Sequence, residues 1–417
     1  MHRRTLLKTG SLALAGFGVS GCLPRSVRTA PSARGARRAP VNLAPVNASL
    51  DRVIRTTVGL RPHRDSGFVL KSEQFDAKTV IHDYGHGGAG MSLAWGTGAM
   101  AADMALAHAE RRAAVLGCGS PGLTAARQLQ RRGFEVTIYT MAVPPNTTSN
   151  MSTAGFTPTS GLVSADRRTP EWDAQFRQAA EISYRQLQLL AGRDYGVYWM
   201  HSYNAVDDIT PPQQNAGADA GLLPDHLRPN REREILGPGE HPFPARYAVR
   251  TWALAIEPSI YLDALVRDFL RFGGKIVIRK FDTPRDLMSL SEPVIVNCTG
   301  LGSKTLFNDE ELVPVKGQLS LLVPQPEVDY RVSSPAPGGG GGGGASANPR
   351  SDGIVIGNLM DRGNWSLEPD DEVRRRNVEA ATRFFAAMRR PIDGVPLTRS
   401  APPQTALRLE SFFTQES

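Results

Sequence analysis

Apolar and polar positions change period several times along this chain. The clearest run predicts a strand over Ala113–Leu116, a glycine turn, a helix over Leu123–Arg132 and a second strand over Glu135–Tyr139, a compact βαβ entry. Upstream, Val80–Met100 places six glycines and two histidines between a strand-like apolar entry and a helical exit. Ala99–Arg112 keeps helical spacing and predicts a helix running straight into Ala113. Residues 1–22 carry an apolar run too short to span a bilayer. Residues 23–50 are rich in Pro, Ala, Arg and Ser without an apolar period, and are expected to be a disordered tether.

Composition narrows the class. At 417 residues, 41% hydrophobic and 21% charged, the chain suits two globular domains. The net charge of +7 suggests nucleic acid until it is mapped: residues 1–55 hold ten Lys and Arg against one acid, leaving about −2 for the rest. Nucleic acid is therefore not an expected partner. Arg3 and Arg4 before the short apolar run resemble a twin-arginine export signal, and Val19–Cys22 resembles a lipobox, which makes Cys22 a candidate for lipidation. The alternative is a general secretory signal with a chance cysteine. The expected location is the periplasmic side of a bacterial membrane, where Arg34, Arg37 and Arg38 could touch anionic headgroups. Cys118 and Cys298 lie far apart, and no disulfide framework is indicated.

Gly117, Gly119 and Gly122 complete G-x-G-x-x-G between a strand and a helix. The first glycine permits the turn, the second lets backbone approach a pyrophosphate, and the third lets helix and strand pack closely; Ser120 lies at the helix start. The second strand ends in Thr140, where an acid would hold ribose hydroxyls, and this weakens an NAD reading. Thr147, Thr148 and Ser149 offer hydroxyls and N–H groups to phosphate, or else form a polar surface loop.

Several segments together resemble the D-amino acid oxidase family of FAD enzymes. They are Val294–Leu322 with its Asn-Cys-Thr-Gly turn and Pro-x-x-Gly-Gln strand, Ile354–Trp365, Val58–Gly67 with its Arg-Pro pair, and the glycine-rich Val80–Gly96. The likeness runs from about Arg52 to about Arg390. In the family the Arg-Pro and glycine-rich segments come last, whereas here they come first, which implies circular permutation. The implied fold is α/β: a discontinuous, Rossmann-like FAD-binding domain with a mostly antiparallel β substrate domain. Its expected parts are the flavin-loop and Arg-Pro segment 51–112, the dinucleotide core 113–194, substrate-domain parts 195–260 and 313–365, the FAD-domain return 261–312, and a helix and tail 366–417.

The resemblance implies that FAD is held by Gly117, Gly119, Ser120, Gly122, Thr147, Thr148, Ser149, Phe281, Cys298, Thr299 and the loop Gly87, Gly88, Ala89, Gly90, Met91 and Ser92. Glycines in that loop would let backbone approach the isoalloxazine ring. A metal pair of His82 and His86 is disfavoured, because the glycines around them preclude a helix. Arg61 would take a substrate carboxylate and the carbonyl of Gly88 the amine, so that hydride transfer to flavin asks for positioning rather than a base. The family's lid tyrosines have no clear counterpart: Tyr330 lies close to a strand, and Gly338–Gly344 offers no side chain. His201, Tyr203, Tyr247 and Arg250 are candidate substitutes, with core or surface roles as the plainer reading. The expected function is oxidation of a D-amino acid or similar small amino acid to an imino acid, with oxygen or a quinone as acceptor. A non-catalytic flavin-binding lipoprotein and an NAD-linked dehydrogenase are the alternatives.

Overall fold

The computed structural model describes residues 39–400 apart from 161–162, 164, 210–221, 228–232, 336–343 and 358. Cys22, the export signal, Arg34, Arg37 and Arg38, Gly338–Gly343 and the tail 401–417 lie outside the described residues. Two sheets carry the fold of residues 40–400.

The first has six strands in the order β2 (Val69–Phe75), β3 (Lys78–Tyr84), β10 (Val294–Asn297), β4 (Arg112–Leu116), β5 (Glu135–Thr140) and β9 (Lys275–Ile278). All its pairings are parallel except that of β2 with β3. β4 and β10 are covered on both faces, which is why they read as unbroken apolar runs. Helices α1 (Gly90–Ala105), α2 (Ser120–Arg131), α3 (Pro170–Leu189) and α4 (Pro258–Arg271) pack into one apolar core with this sheet, and the short α5 (Gly302–Leu306) follows β10. Small residues let the helices close up: a Cβ on Gly96 of α1 would lie 2.0 Å from the Ala179 carbonyl oxygen of α3.

The second sheet runs β1 (Val53–His63), β11 (Val313–Leu322), β14 (Gly353–Ile356), β13 (Ser346–Arg350), β12 (Arg331–Ser333), β6 (Val197–Val206), β8 (Tyr247–Ile256) and β7 (Glu234–Leu236), with β15 (Asp361–Arg362) on β11. Only β12 and β6 pair in parallel. One face packs beneath α6 (Asp371–Ala386) in a core that includes Tyr203, Tyr330, Val332, Ala347 and Phe385. The other packs against residues 151–155, which follow β5: Gly59 of β1 meets Met151, and Asn348 of β13 bonds the Thr153 carbonyl.

Two boundaries differ from the sequence expectations. α1 begins at Gly90 and ends at Ala105, so a turn and not a continuous helix leads into β4. Residues 40–50 are no tether: Val41, Leu43, Ala44, Val46 and Ala48 are buried in the second core. Asn42 fixes this segment to the chain's far end, donating from Nδ2 to the Val395 carbonyl at 2.8 Å. Prolines 40 and 45 mask a nearly alternating apolar pattern there. Leu43, 2% exposed, contributes about 1.5–3 kcal/mol through burial.

Candidate active site

The glycine turn is built as its spacing demands. Gly117 has φ +103°, and a Cβ on it would stand 2.6 Å from the carbonyl oxygen of Cys298. A Cβ on Gly122 would stand 2.0 Å from the carbonyl oxygen of Gly117, so the helix could not seat against the turn. Gly119 is the N-cap of α2 and supplies no side-chain cap. The Ser120 N–H donates to Ser149 Oγ at 2.9 Å, which draws the 147–149 loop onto the turn. Ser120 Oγ is buried without a hydrogen-bond partner among the described residues. A helix N-terminus with an orphan hydroxyl and glycine backbone fits a dinucleotide phosphate.

Around it, Thr147 Oγ1 bonds Asn150 Oδ1 at 2.8 Å, and Thr148 opens the turn to Met151. Thr299 Oγ1 donates to Asn297 Oδ1 at 2.8 Å. Cys298 is buried, and burial pushes its thiol well up, so it is a packing residue and not a reactive one. Thr140 donates from Oγ1 to the Ala142 carbonyl at 2.7 Å and stays in its own turn. Phe281 meets Tyr139 edge-on, with ring centroids 5.9 Å apart, past the end of β9.

The glycine-rich loop joins β3 to α1. Gly87 takes φ +56°, and Ala89 is fully buried. Met91 and Ser92 form the first turn of α1; Ser92 Oγ donates to the Gly155 carbonyl at 2.9 Å and accepts from the Thr157 N–H at 2.8 Å. The loop is thereby tied to residues 155–157. A Cβ on Gly88 would lie 2.7 Å from the Ser160 carbonyl oxygen, so the loop packs closely on residue 160 at this point. Gly90 begins α1, and the nearest protein side chain to its Cβ position is His86, whose Cβ lies at 3.8 Å. His82 and His86 do not share a ligand site: His82 bonds Glu73 and Asn297, whereas His86 bonds Thr97, pairs with buried Asp83 and stacks on Phe68.

Arg61 stands on β1, opposite Val315. Gly59, two residues away on the same face, points at Met151, whose Cβ lies 2.8 Å from the glycine's Cβ position. That face therefore packs on the loop after β5, which Ser149 ties to the glycine turn. The Arg61 guanidinium lies over Gly317, where a Cβ would be 2.6 Å from Nη1, and it donates to the Leu359 carbonyl at 3.2 Å. Burial holds its pKa below the ordinary arginine value.

The substitute candidates fall elsewhere. Tyr203 and Tyr330 are core residues beneath α6, and the Tyr330 hydroxyl donates to the Ala44 carbonyl at 2.7 Å. His201 packs on Trp252 at 4.0 Å, Arg250 pairs with Glu234, and Tyr247 lies against Arg246. Alternation along the strands puts Tyr203 on the α6 face, a period-two signal obscured by aromatic residues on both faces. The sequence reading missed Gly317, Gly155, Arg331 and Asn348, all on or against the covering face. Asn348 Nδ2 donates to the Thr153 carbonyl at 3.4 Å, while its Oδ1 is buried and unbonded among the described residues.

Residues 112–401 match the profile of the DAO family, described as FAD dependent oxidoreductase. A D-amino-acid oxidase of Streptomyces coelicolor is 30% identical over 307 residues, 71% of this chain and 84% of the relative. A D-amino acid oxidase of Dugesia ryukyuensis is 25% identical over 269 residues, 62% of this chain and 73% of the relative. The solved glycine oxidase of Geobacillus kaustophilus superposes with TM-score 0.49 at 15% identity, over 66% of this chain and 78% of that one. The glycine turn, the mostly parallel sheet behind it and the mostly antiparallel second sheet agree with the family profile. The chain belongs to the DAO family of FAD-dependent oxidoreductases and is a FAD-dependent enzyme.

Proposed function

We propose that this protein oxidises a small amino acid of the D-amino acid class, with Arg61 as the carboxylate anchor. The observation that carries the reading is the half-buried guanidinium on the covering face, seated in space that Gly317 leaves free. A planar guanidinium matches a carboxylate with two parallel hydrogen bonds, and one fixed carboxylate leaves the α-carbon little freedom. The carbonyl of Gly88 would accept from the substrate amine. Bound FAD supplies the two-electron acceptor for the α-hydride; the amine loses one proton, and the imino acid leaves to be hydrolysed. The chain's own contribution is orientation, and this needs no side-chain base. Oxygen or a membrane quinone would then reoxidise the enzyme. The names of the curated relatives support the substrate class.

Two further parts of the reading concern the chain's order and address. We take the order as a circular permutation, supported by β2 and β3 lying beyond β10 in the sheet of β4 while the family match begins at residue 112, where β4 starts. The twin-arginine and lipobox resemblances of residues 3–22 support export and anchoring through Cys22.

The test is anaerobic flavin reduction by a panel of D-amino acids, glycine and N-methyl amino acids. Arg61→Ala should retain FAD yet reduce orders of magnitude more slowly, and Arg61→Lys should fall between. Reduction of Arg61→Ala at the wild-type rate would remove the carboxylate role.

A further inference from the structure

β12 and β13 alternate strictly. Val332 pairs with Ala347, and both are buried in the core beneath α6. Their neighbours Arg331 and Asn348 therefore point to the opposite face, the one packed on residues 151–155. Arg331 Nη1 lies 3.2 Å from the Cβ position of Gly155, whose carbonyl accepts from Ser92 Oγ in the first turn of α1. One residue thus separates this guanidinium from the helix that follows the glycine-rich loop. Arg61 is elsewhere: the strand registers set Arg331 level with Arg55, six residues along β1 from Arg61 and four strands across, so the two guanidinia serve different groups.

The Arg331 charge is unanswered among the described residues. No carboxylate acts on it, and the titratable group that does is the Tyr198 phenol, which donates to Glu257 at 3.0 Å. The surrounding carboxylates are committed elsewhere: Glu257 accepts from the N–H and hydroxyl of Ser351, Asp352 from Arg350 and Arg55, and Asp329 from the N–H of Ser400. Asn348, opposite Arg331, has an Oδ1 that is buried and unbonded among the described residues, so it does not take up the guanidinium either. The first turn of α1 adds to the imbalance, for it carries no acid and no side-chain cap, and a helix N-terminus is the positive end. Asp83, near the end of β3, is paired with His86. Burial lowers the Arg331 pKa, so the charged form is held at a cost that a neighbouring negative charge would offset.

FAD-dependent oxidation brings such a charge. When the substrate C–H bond breaks and an N5–H bond forms, the hydride carries one proton and two electrons, and bound FAD gains one negative charge unless a second proton follows. That charge spreads over the pyrimidine half of the ring system, where a cation nearby favours the reduced form. We propose that Arg331 is an electrostatic residue of the flavin site, which raises the reduction potential of bound FAD by stabilising the negative charge that arrives with the hydride. The proposal rests on the glycine-rich loop lying against the flavin, and not on the identity of the substrate.

The experiment uses no substrate. FAD-loaded wild type, Arg331→Met, Arg331→Gln and Arg331→Lys are reduced with dithionite against a redox dye of known potential, and the two-electron potential is read from the flavin spectrum. Each neutral variant should lower the ratio of reduced to oxidised flavin at a given potential by about 10- to 150-fold, the value of one interaction with a charged group, or roughly 30–65 mV at about 30 mV per tenfold. Arg331→Lys keeps the charge and should recover most of the shift. A second readout is static: the flavin N3–H should titrate at higher pH in Arg331→Met than in wild type, because a cation nearby favours its deprotonated form. Should Arg331→Met not accumulate, Arg331→Gln and Arg331→Lys decide. An unchanged potential in the neutral variants overturns the inference. So does an equal fall in Arg331→Lys and Arg331→Met, since packing and not charge would then set the potential. Loss of FAD from both neutral variants, or a wild-type potential in whatever fraction they retain, also overturns it and assigns Arg331 to holding the cofactor. Because no amino acid is added, the result stands apart from the substrate class proposed above.

Discussion

Replacing Gly317 with alanine tests the carboxylate anchor without touching its charge. The added Cβ would lie 2.6 Å from Arg61 Nη1 and 2.9 Å from Cζ and Nη2. Ordinary contact begins near 3.4 Å, so the guanidinium must move by about 0.8 Å. The obstructing group is the end of a flexible side chain and not backbone, so the fold should yield cheaply. Alanine in a strand is also favoured over glycine by roughly 0.5–1 kcal/mol, which offsets part of the strain. Stability should therefore change by no more than about 1 kcal/mol, and FAD content should stay near wild type, because Gly317 lies on the covering sheet and not on the glycine turn. Catalysis should suffer far more: a misplacement of about 1 Å costs on the order of 100-fold when geometry carries the rate. Anaerobic stopped-flow reduction, with flavin content and melting temperature measured on the same preparation, reads all three quantities. A variant that holds FAD, melts like wild type and reduces at the wild-type rate would show that the position of Arg61 over Gly317 does not set the chemistry.

A pH effect on stability should trace to His201, held down at about 4 in the folded protein by burial and then by the charge of Arg250, against 6.5 when unfolded. Because the unfolded chain takes the proton first, stability should fall as pH drops from 6.5 toward 4, and His201→Gln should flatten part of that fall in a pH series of melting curves; equal slopes would refute it. Cys22→Ala should release the protein from membranes, and unchanged pelleting with the membrane fraction would count against a lipid anchor.

Local geometry was legible in the sequence wherever one short segment contains its own reason. Gly117, Gly119 and Gly122 state their roles by spacing, since turn, phosphate approach and helix seating all occur within six residues. The glycine-rich loop carried its identity too, but not the cause of each glycine: Gly88 is fixed by Ser160, a residue 72 positions away that no local pattern links to it. Arg61 was legible only through resemblance, and the glycine that makes room for it lies on another strand. Residues 40–50 misled because prolines and polar residues obscure apolar alternation, and because the surface that buries them is assembled from β6, β12 and α6. Tyr203 and Tyr330 misled in the opposite sense. A tyrosine suits an active site chemically, yet the same ring and hydroxyl suit a core that offers the Ala44 carbonyl as partner. Arg331 opens a three-residue strand whose facing could be assigned only once Val332 and Ala347 had been placed.

The pairing of β3 with β10 and of β1 with β11 has a kinetic meaning. Thr79–His82 must wait for Val294–Asn297, and Val53–His63 for Val313–Leu322, before either sheet can close. At about 5–20 residues per second of synthesis, the glycine-rich loop spends roughly 10–40 s without the strand that flanks it. Contacts this distant in sequence make for slow folding, with apolar edges exposed in the interval. The cofactor cannot be enclosed by a growing chain. Flavin capture is then an event of the completed polypeptide, and free FAD and protection from aggregation during that interval would govern the yield of active enzyme more than its final stability does.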